Sequence, residues 1–358
     1  MKEARVLVVD DSAAVRQMIR SVLLEDPGIC EVITRPGGEE ALSRLASGDI
    51  DIIVLDIEMP GMNGLEVLRR IQAERLNVPV IVFSSATREG ADVTVNALAL
   101  GAVDFVTKPA GTSSFDDARE YVRTRLMGSI RAVLGRRPDA AARENARRRG
   151  PTARTGRIAA VVIAASMGGP HALGKLLAGL PRDLEVPVFI VQHMPPLFLS
   201  VFAQRLAESV HPAVRECGSE AEVTAGSIWL AAGGRHMEVV RRERKVRVRM
   251  VEGDPVNFCR PAADILFASA AGVYGSGVLG VVMTGMGQDG LDGARKVLSA
   301  GGEVVVQDHD SSVVWGMAGS VVRHGLASAI VPLGDLGSEI AQRVRMSARA
   351  DAGLPGRR

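Results

Sequence analysis

Three short stretches of the chain carry residues that could do covalent chemistry. The first, Ala164-Ala165-Ser166-Met167-Gly168-Gly169-Pro170, follows an apolar run at 158–163. A buried strand ending in small residues, a serine and a Gly-Gly-Pro turn presents a hydroxyl at the mouth of a sheet. The helix beginning near Pro170 would aim its free N–H groups and positive dipole end at that hydroxyl. By itself Ser166 reads more readily as a helix cap. A nucleophilic serine needs a general base, and the base needs an orienting group. Of the six histidines, His193 stands apart, ending the run 188–191 in Gln192-His193-Met194-Pro195-Pro196. His171 falls in the first turn after Ser166, and His211, His236, His309 and His324 fall in helix ends, turns or loops, where solvation is expected. A third strand end, after 278–283, carries Thr284-Gly285-Met286-Gly287-Gln288-Asp289-Gly290. Ser166, His193 and Asp289 thus come from three separate strand ends, as a convergent triad would. A rival reading shares the last stretch. Residues 285–290 satisfy G-x-G-x-x-G, and Asp308 or Asp310 follows at a distance suited to a ribose-binding acid. Electrostatics weigh against it, because Asp289 inside the loop would repel a pyrophosphate.

A second constellation lies upstream. Asp10 and Asp11 follow one apolar run, Asp56 another, Ser84 a third and Lys108 a fourth. Carboxylates gathered at one edge repel unless a cation sits among them, and oxygen ligands with room for water suit Mg²⁺. A neighbouring lysine could pair with added negative charge, and Ser84 could hydrogen-bond to it. That set suits phosphoryl transfer onto a carboxylate, with the central Asp56 the best acceptor. Strand-end aspartates often only cap helices, as Asp11 or Ser12 could here, but three with a lysine exceed that need.

These residues require parallel sheets to bring them to one edge. In residues 1–125, strand-like runs at 6–9, 32–34, 52–55, 80–83 and 103–106 alternate with helical patterns at 13–24, 39–46, 64–74, 89–100 and 116–134. Such alternation predicts an α/β, doubly wound parallel sheet with working groups at the strand carboxyl ends. Residues 126–156 lose apolar bulk and read as a solvated tether. From Arg136 to Arg157, eight arginines face only Asp139 and Glu144, so this segment alone exceeds the chain's net charge of +2. Strand–helix alternation resumes over 157–346 and predicts a second, Rossmann-like domain. Within it, 228–230 and 237–240 suggest a strand pair about Gly233-Gly234. Val246, Val248 and Met250 alternate with Arg247 and Arg249, as at a charge-protected sheet edge. Residues 347–358 read as a flexible tail.

Composition narrows the classes further. Aromatic residues make up 3% of the chain, which argues against base-stacking platforms, and no reading element accompanies the arginines, so no nucleic-acid partner is expected. No apolar run approaches a membrane span, so no insertion into a membrane is expected. The chain opens without a signal peptide, and Cys30, Cys217 and Cys259 fit neither a disulfide framework nor a metal spacing. A cytoplasmic protein is expected.

The first domain resembles the response-regulator receivers, on the stretches VVDDS (8–12), LDIEMPGMNG (55–64), FSSA (83–86) and DFVTKP (104–109). The resemblance implies Asp56 as phospho-acceptor, Asp10 and Asp11 with Asp56 around Mg²⁺, and Ser84 and Lys108 on the phosphoryl group. It also implies Phe105 as a switch aromatic, a flavodoxin-like fold and a cis Lys108–Pro109 bond. The second domain resembles the chemotaxis protein-glutamate methylesterases of CheB type, on SMGGP (166–170), VQHMPPLF (191–198), CRPAADILF (259–267) and MTGMGQDG (283–290). That resemblance implies Ser166 as nucleophile, His193 as base, Asp289 as orienter and the Met286 N–H in the oxyanion hole, with no cofactor for the ester hydrolysis. It implies chemoreceptors as substrates, glutamate γ-methyl esters hydrolysed and receptor glutamines deamidated. A chemotaxis histidine kinase is implied as phosphodonor, with phospho-Asp56 releasing a receiver packed over the catalytic edge. Met167, Cys259, Ala262 and Ala318 depart from the family pattern, replacing Thr, His, Ser and Pro. Two other readings stay open: a receiver-controlled adaptor with a silent second domain, and a receiver-controlled dinucleotide binder.

Overall fold

The computed structural model describes residues 3–109, 114–135 and 156–352; the expected linker lies mostly outside them. The chain divides into two compact units, 1–136 and 137–358.

The first unit alternates β1 (Ala4–Val9), α1 (Ala13–Leu23), β2 (Ile29–Arg35), α2 (Gly38–Leu45), β3 (Ile52–Asp56), α3 (Gly64–Ala73), β4 (Val80–Ser84), α4 (Arg88–Ala99), β5 (Asp104–Thr107) and α5 (Phe115–Leu134). The parallel sheet runs β2-β1-β3-β4-β5. Its central strands are buried throughout, as continuous apolar runs covered on both faces should be. Helix starts other than that of α2 carry side-chain caps. Ser12 Oγ accepts the Val15 N–H, Asn63 and Glu66 form a reciprocal capping box, and Thr87 and Ser114 cap the next two helices. Because Ser12 caps α1, Asp11 is released from that duty. Helix α5 passes through residue 125 without a break, since Leu126, Met127, Ile130 and Val133 continue its buried face. The Lys108–Pro109 bond is not cis; among the described residues the cis peptide is Arg260–Pro261.

The second unit contains β6 (Ala160–Ala165), α6 (Gly169–Ala178), β7 (Val188–Gln192), α7 (Pro196–Ser209), β8 (Val214–Cys217), β9 (Glu220–Glu222), β10 (Ile228–Ala231), β11 (His236–Arg242) and β12 (Lys245–Val251). It continues with α8 (Ala263–Tyr274), β13 (Val278–Val282), α9 (Leu291–Ser299), β14 (Glu303–Gln307), α10 (Met317–Arg323), β15 (Ala329–Val331) and α11 (Leu333–Ala352). Seven parallel strands run β15-β14-β13-β6-β7-β10-β8. Strand β6, first in the chain, lies at the middle, and the chain winds away from it in both directions. The β13/β6 border is therefore the switch point, where open α/β sheets build their sites.

Two sequence expectations change here. Strands β10 and β11 do not pair with each other. All four residues of β10 are buried, so it fits between two parallel neighbours, β7 and β8. Strand β11 instead joins a separate antiparallel sheet in the order β11-β12-β9. Strand β12 is thus central rather than an edge. Its arginines serve cross-strand pairing, Arg247 Nε lying 2.5 Å from Glu220 Oε1 and Arg249 Nη2 2.8 Å from Glu238 Oε2. Helix α11 also carries on through Ala352, into the segment expected as tail. Among the described residues no helix is long and apolar enough to cross a membrane.

Candidate active site

Register alone brings Ser166, His193 and the Asp289 loop together. Ala165 of β6 pairs with Gln192 of β7, so Ser166 and His193 are the next residues out from neighbouring strand ends. The His193 N–H donates to Ala165 O at 3.1 Å. On the other side Val282 pairs with Ala164, and the Ser166 N–H donates to Thr284 O at 3.0 Å. The serine is therefore held by its backbone between the two loops. Its hydroxyl is not spent on capping, because α6 is capped by Gly168 in the left-handed region (φ 74°). A Cβ on Gly168 would stand 2.5 Å from the Val313 side chain, so the turn needs glycine for space as well.

His193 Nε2 lies 2.7 Å from Asp289 Oδ2. Asp289 is buried, and its carboxylate accepts the Ala263 N–H at 2.6 Å, the Asp264 N–H at 3.1 Å and the Gly290 N–H at 3.0 Å. Burial opposes its charge, but the His193 hydrogen bond and the amides outweigh burial and hold the carboxyl below its usual range. An ionised Asp289 fixes the tautomer of His193 with the proton on Nε2, leaving the Nδ1 lone pair as the acceptor. Burial also opposes a charged His193, yet Asp289 and then Cys259, whose Sγ lies 3.5 Å from Nδ1, raise its pKa to about 9. Among the described residues no hydrogen bond joins Ser166 Oγ to His193 in this resting arrangement, which is common before substrate aligns a catalytic pair.

The backbone at Gly285 passes close to Ser166. A Cβ on Gly285 would stand 2.7 Å from Ser166 Cβ and 2.3 Å from Met317 Sδ, so only glycine permits this approach. Met286 itself is exposed, and its N–H donates to no protein group among the described residues. Gly285, the residue before it, is the one that packs on Ser166.

Several supporting residues carried no sequence signal. Gln192 Nε2 donates to Ser166 O at 2.9 Å and to His193 O at 3.1 Å, tying the two loops together. Thr284 Oγ1 donates to Met167 O at 2.9 Å and accepts the Val314 N–H at 3.1 Å. Met167 is buried, so the methionine in place of a hydroxyl residue turns away from solvent. Ala262 is the N-cap of α8 without a side-chain bond, and Asp289 takes over the amides of that first turn. His211 and His236 are buried rather than solvated; His236 Nδ1 accepts the Ala262 N–H at 3.2 Å and so props the same turn.

The dinucleotide reading fails at the same place. The amides of Gly290 and Gly293, at the start of α9, already donate to Asp264 Oδ1 at 3.0 and 2.6 Å. Carboxylates occupy the helix termini a pyrophosphate would need. Burial, the largest cause, together with Asp289 and Asp292 raises the Asp264 pKa to about 6.

In the first unit Asp10 and Asp56 are buried and Asp11 is exposed, and one ligand oxygen from each falls within 4.8 Å of the others. Lys108 Nζ lies 2.6 Å from Asp56 Oδ2 and 3.5 Å from Asp10 Oδ2. Burial raises the Asp56 pKa to about 6 against the pull of Lys108. Asp10 Oδ2 is buried without a hydrogen-bond partner, which fits a hard cation as its missing contact. Ser84 does not join this set. It is buried, accepting from Thr94 Oγ1 at 2.6 Å and lying 3.2 Å from Gly90 O, because strand alternation turns it toward α4. The next hydroxyl, Ser85, faces the acidic side, its Oγ 3.2 Å from Glu58 Oε1; the Glu58 N–H in turn donates to Asp56 Oδ1. Phe105 is half-buried on β5, paired in register with Val82.

A seryl hydroxyl beside a carboxylate-oriented imidazole at a switch point is the kind of arrangement a serine hydrolase needs, and buried aspartates beside a lysine are what a phospho-acceptor site needs. Comparison with known proteins agrees. Residues 161–340 match the CheB methylesterase family and residues 6–119 the response regulator receiver domain. A "protein-glutamate methylesterase/protein-glutamine glutaminase" of Trichodesmium erythraeum is 42% identical, covering 96% of this chain and all of its own length. One of Caulobacter vibrioides is also 42% identical, over 95% of this chain and 99% of its own. The catalytic domain of a Thermotoga maritima CheB methylesterase superimposes with a TM-score of 0.50 at 35% identity, covering 52% of this chain and 98% of that one. The chain belongs to the family of CheB protein-glutamate methylesterases, with a receiver domain in front of the catalytic domain.

Proposed function

We propose that the protein is a phosphorylation-regulated esterase that hydrolyses glutamate γ-methyl esters on chemoreceptors, in chemotactic adaptation. The observation that carries this reading is the Asp289–His193 pair at 2.7 Å, set one strand over from a serine whose hydroxyl caps nothing. His193 Nδ1 takes the Ser166 proton as Oγ attacks the ester carbonyl. The resulting oxyanion is stabilised by the free Met286 N–H. His193 returns the proton to the departing methoxide, and methanol leaves. Water then repeats the sequence on the acyl-enzyme and yields glutamate. With a receptor glutamine the leaving group is ammonia, which gives the deamidase activity named in the relatives. Ser166 and His193 carry every proton transfer in this scheme and Asp289 orients the imidazole, so the reaction calls on no cofactor.

In the receiver, Asp56 accepts a phosphoryl group from a chemotaxis-type histidine kinase. Asp10, Asp11 and Asp56 would hold Mg²⁺, which when bound offsets the charge of the incoming phosphoryl oxygens. Lys108, already on Asp56, is placed to pair with them. The enzyme would act in the cytoplasm on the methylated helices of its receptors, with nucleic acid and membrane insertion playing no part.

Methanol release from methylated receptor membranes tests both halves. Ser166→Ala should abolish release while leaving the circular dichroism spectrum unchanged. A small phosphodonor with Mg²⁺ should raise the rate of the wild-type chain and leave Asp56→Asn unmoved. Retained release in Ser166→Ala would refute the triad. Absence of fluorophosphonate labelling at Ser166 would favour a silent adaptor instead.

A further inference from the structure

Cys259 stands against the catalytic histidine, and the ester hydrolysis makes no use of it. Its backbone is fixed by a tight turn. The Val256 N–H donates to Cys259 O and the Cys259 N–H to Val256 O, at 3.1 and 2.9 Å. Asn257 and Phe258 between them take φ of 51° and 62°, a left-handed pair that reverses the chain in two residues. Asn257 Nδ2 donates to Asp264 Oδ2 at 2.8 Å, which anchors this turn to the first turn of α8. The thiol is only partly buried, so solutes reach it. Its Sγ faces His193 Nδ1, the nitrogen left unprotonated when Asp289 accepts the Nε2–H.

We propose that Cys259 Sγ and His193 Nδ1 form a binding site for a zinc-class divalent cation that reversibly inhibits the esterase. The geometry is that of two ligands already in place. A cation about 2.3 Å from sulfur and about 2.05 Å from nitrogen, bridging atoms 3.5 Å apart, subtends an angle of about 107°, close to tetrahedral. The Asp289–His193 hydrogen bond is the carboxylate–histidine support that orients metal-bound imidazoles. Ligand atoms of His193, Cys259 and Asp289 lie within 4.8 Å of one another, so a thiolate and a carboxylate together balance a double positive charge. Binding exchanges two protons for the metal at neutral pH: the Cys259 thiol and the protonated His193 Nδ1 each give up a hydrogen to solvent as the sulfur–metal and nitrogen–metal bonds form. The remaining positions stay open to water. The chemistry also separates the chain's two cations. The receiver's three carboxylates select hard Mg²⁺, whereas a thiolate and an imidazole select Zn²⁺ and leave Mg²⁺ in water. Inhibition follows because the metal occupies the lone pair that must accept the Ser166 proton. That last step rests on the esterase reading; the binding does not.

The experiment titrates the full-length chain with Co²⁺, the spectroscopic substitute for Zn²⁺, and follows the thiolate-to-cobalt charge-transfer band in the near ultraviolet. The band should appear in the wild type, in Ser166→Ala and in Cys30→Ser, and vanish in both Cys259→Ser and Cys259→Ala. In parallel, Zn²⁺ should inhibit methanol release, a chelator should restore it, and the inhibitory concentration should rise at least tenfold in Cys259→Ser. No band in the wild type, or a band that survives both Cys259 substitutions, overturns the site. A Cys259-dependent band without inhibition of an active enzyme overturns the inhibitory role. If Ser166→Ala still releases methanol, the esterase reading falls while the cobalt band continues to decide the site.

Discussion

Asp264 and Asp289 exchange amides across two helix starts. The Asp264 N–H donates to Asp289 Oδ1 at 3.1 Å, and the Gly290 N–H, next to Asp289, donates to Asp264 Oδ1 at 3.0 Å. Each acid thus caps the helix that begins beside the other, and the pair locks α8 to α9 just beneath His193.

Asp264→Ala therefore strips the acceptor from the buried Gly293 amide and from Asn257, while the Gly290 amide keeps Asp289 Oδ1. At roughly 1–3 kcal/mol for a buried donor left unpaired, the second unit should lose about that much, read as a lower denaturant midpoint. Asp264→Asn keeps one acceptor oxygen and should lose less. An unchanged midpoint in Asp264→Ala would show that the exchanged amides carry no stability.

The pH profile should report His193. A pKa of about 9 leaves roughly one molecule in a hundred with a neutral, proton-accepting imidazole at pH 7. Turnover should climb with pH and level off near 9. Cys259 is among the groups that raise this pKa, so Cys259→Ala should shift the rising limb toward acid. The shift also has a sign for folding. A histidine whose folded pKa is raised contributes its full stability below about 6.5 and loses it as pH rises through about 9. Profiles of kcat/KM for the two proteins, taken in chelated buffer, test this; coincident limbs would rule out the influence of Cys259.

Gly285→Ala should damage catalysis more than folding. Its Cβ would lie 2.7 Å from Ser166 Cβ and 2.3 Å from Met317 Sδ. The loop must move by a fraction of an ångström or more, carrying the Met286 donor with it. A displacement of that order costs on the order of a hundredfold in rate, expected in kcat with KM nearly constant. A variant with wild-type kcat would place the oxyanion elsewhere.

In the receiver, Ser85→Ala and Ser84→Ala should part company. Ser84 is bound by Thr94 and Gly90, so its loss should lower the thermal midpoint of the receiver and spare phosphorylation. Ser85 faces Glu58, and its loss should slow phosphorylation from a small donor while the midpoint holds. The opposite pattern would return the role to Ser84.

The chemistry-bearing strand ends were legible because each is local: an apolar run, then one reactive residue. Asp10, Asp56, Lys108, Ser166 and His193 could each be singled out that way. So could Ser84, but its bonds to Thr94 and Gly90 could not be read, because a strand's two faces alternate and only packing shows what each meets. The pairing of β10 misled for a related reason. Gly233-Gly234 signals a reversal, but not which sheet the following strand joins. Asp264, Gln192 and the Cys259–His193 contact left no mark, since their partners lie 25, 26 and 66 residues away. Long-range contacts of that kind are decided by assembly of the sheet.

The position of β6 has a consequence for a growing chain. Its final neighbour β13 emerges more than a hundred residues after it, and His193 must wait for an aspartate 96 positions downstream. During synthesis β6 is a bare apolar border, open to unwanted pairing. Through the same interval Ser166 has neither the Thr284 carbonyl that holds it nor a Met286 donor beside it. The nascent polypeptide is thus chemically harmless while it is most exposed to aggregation, and the arrival of one central strand should end both conditions at once.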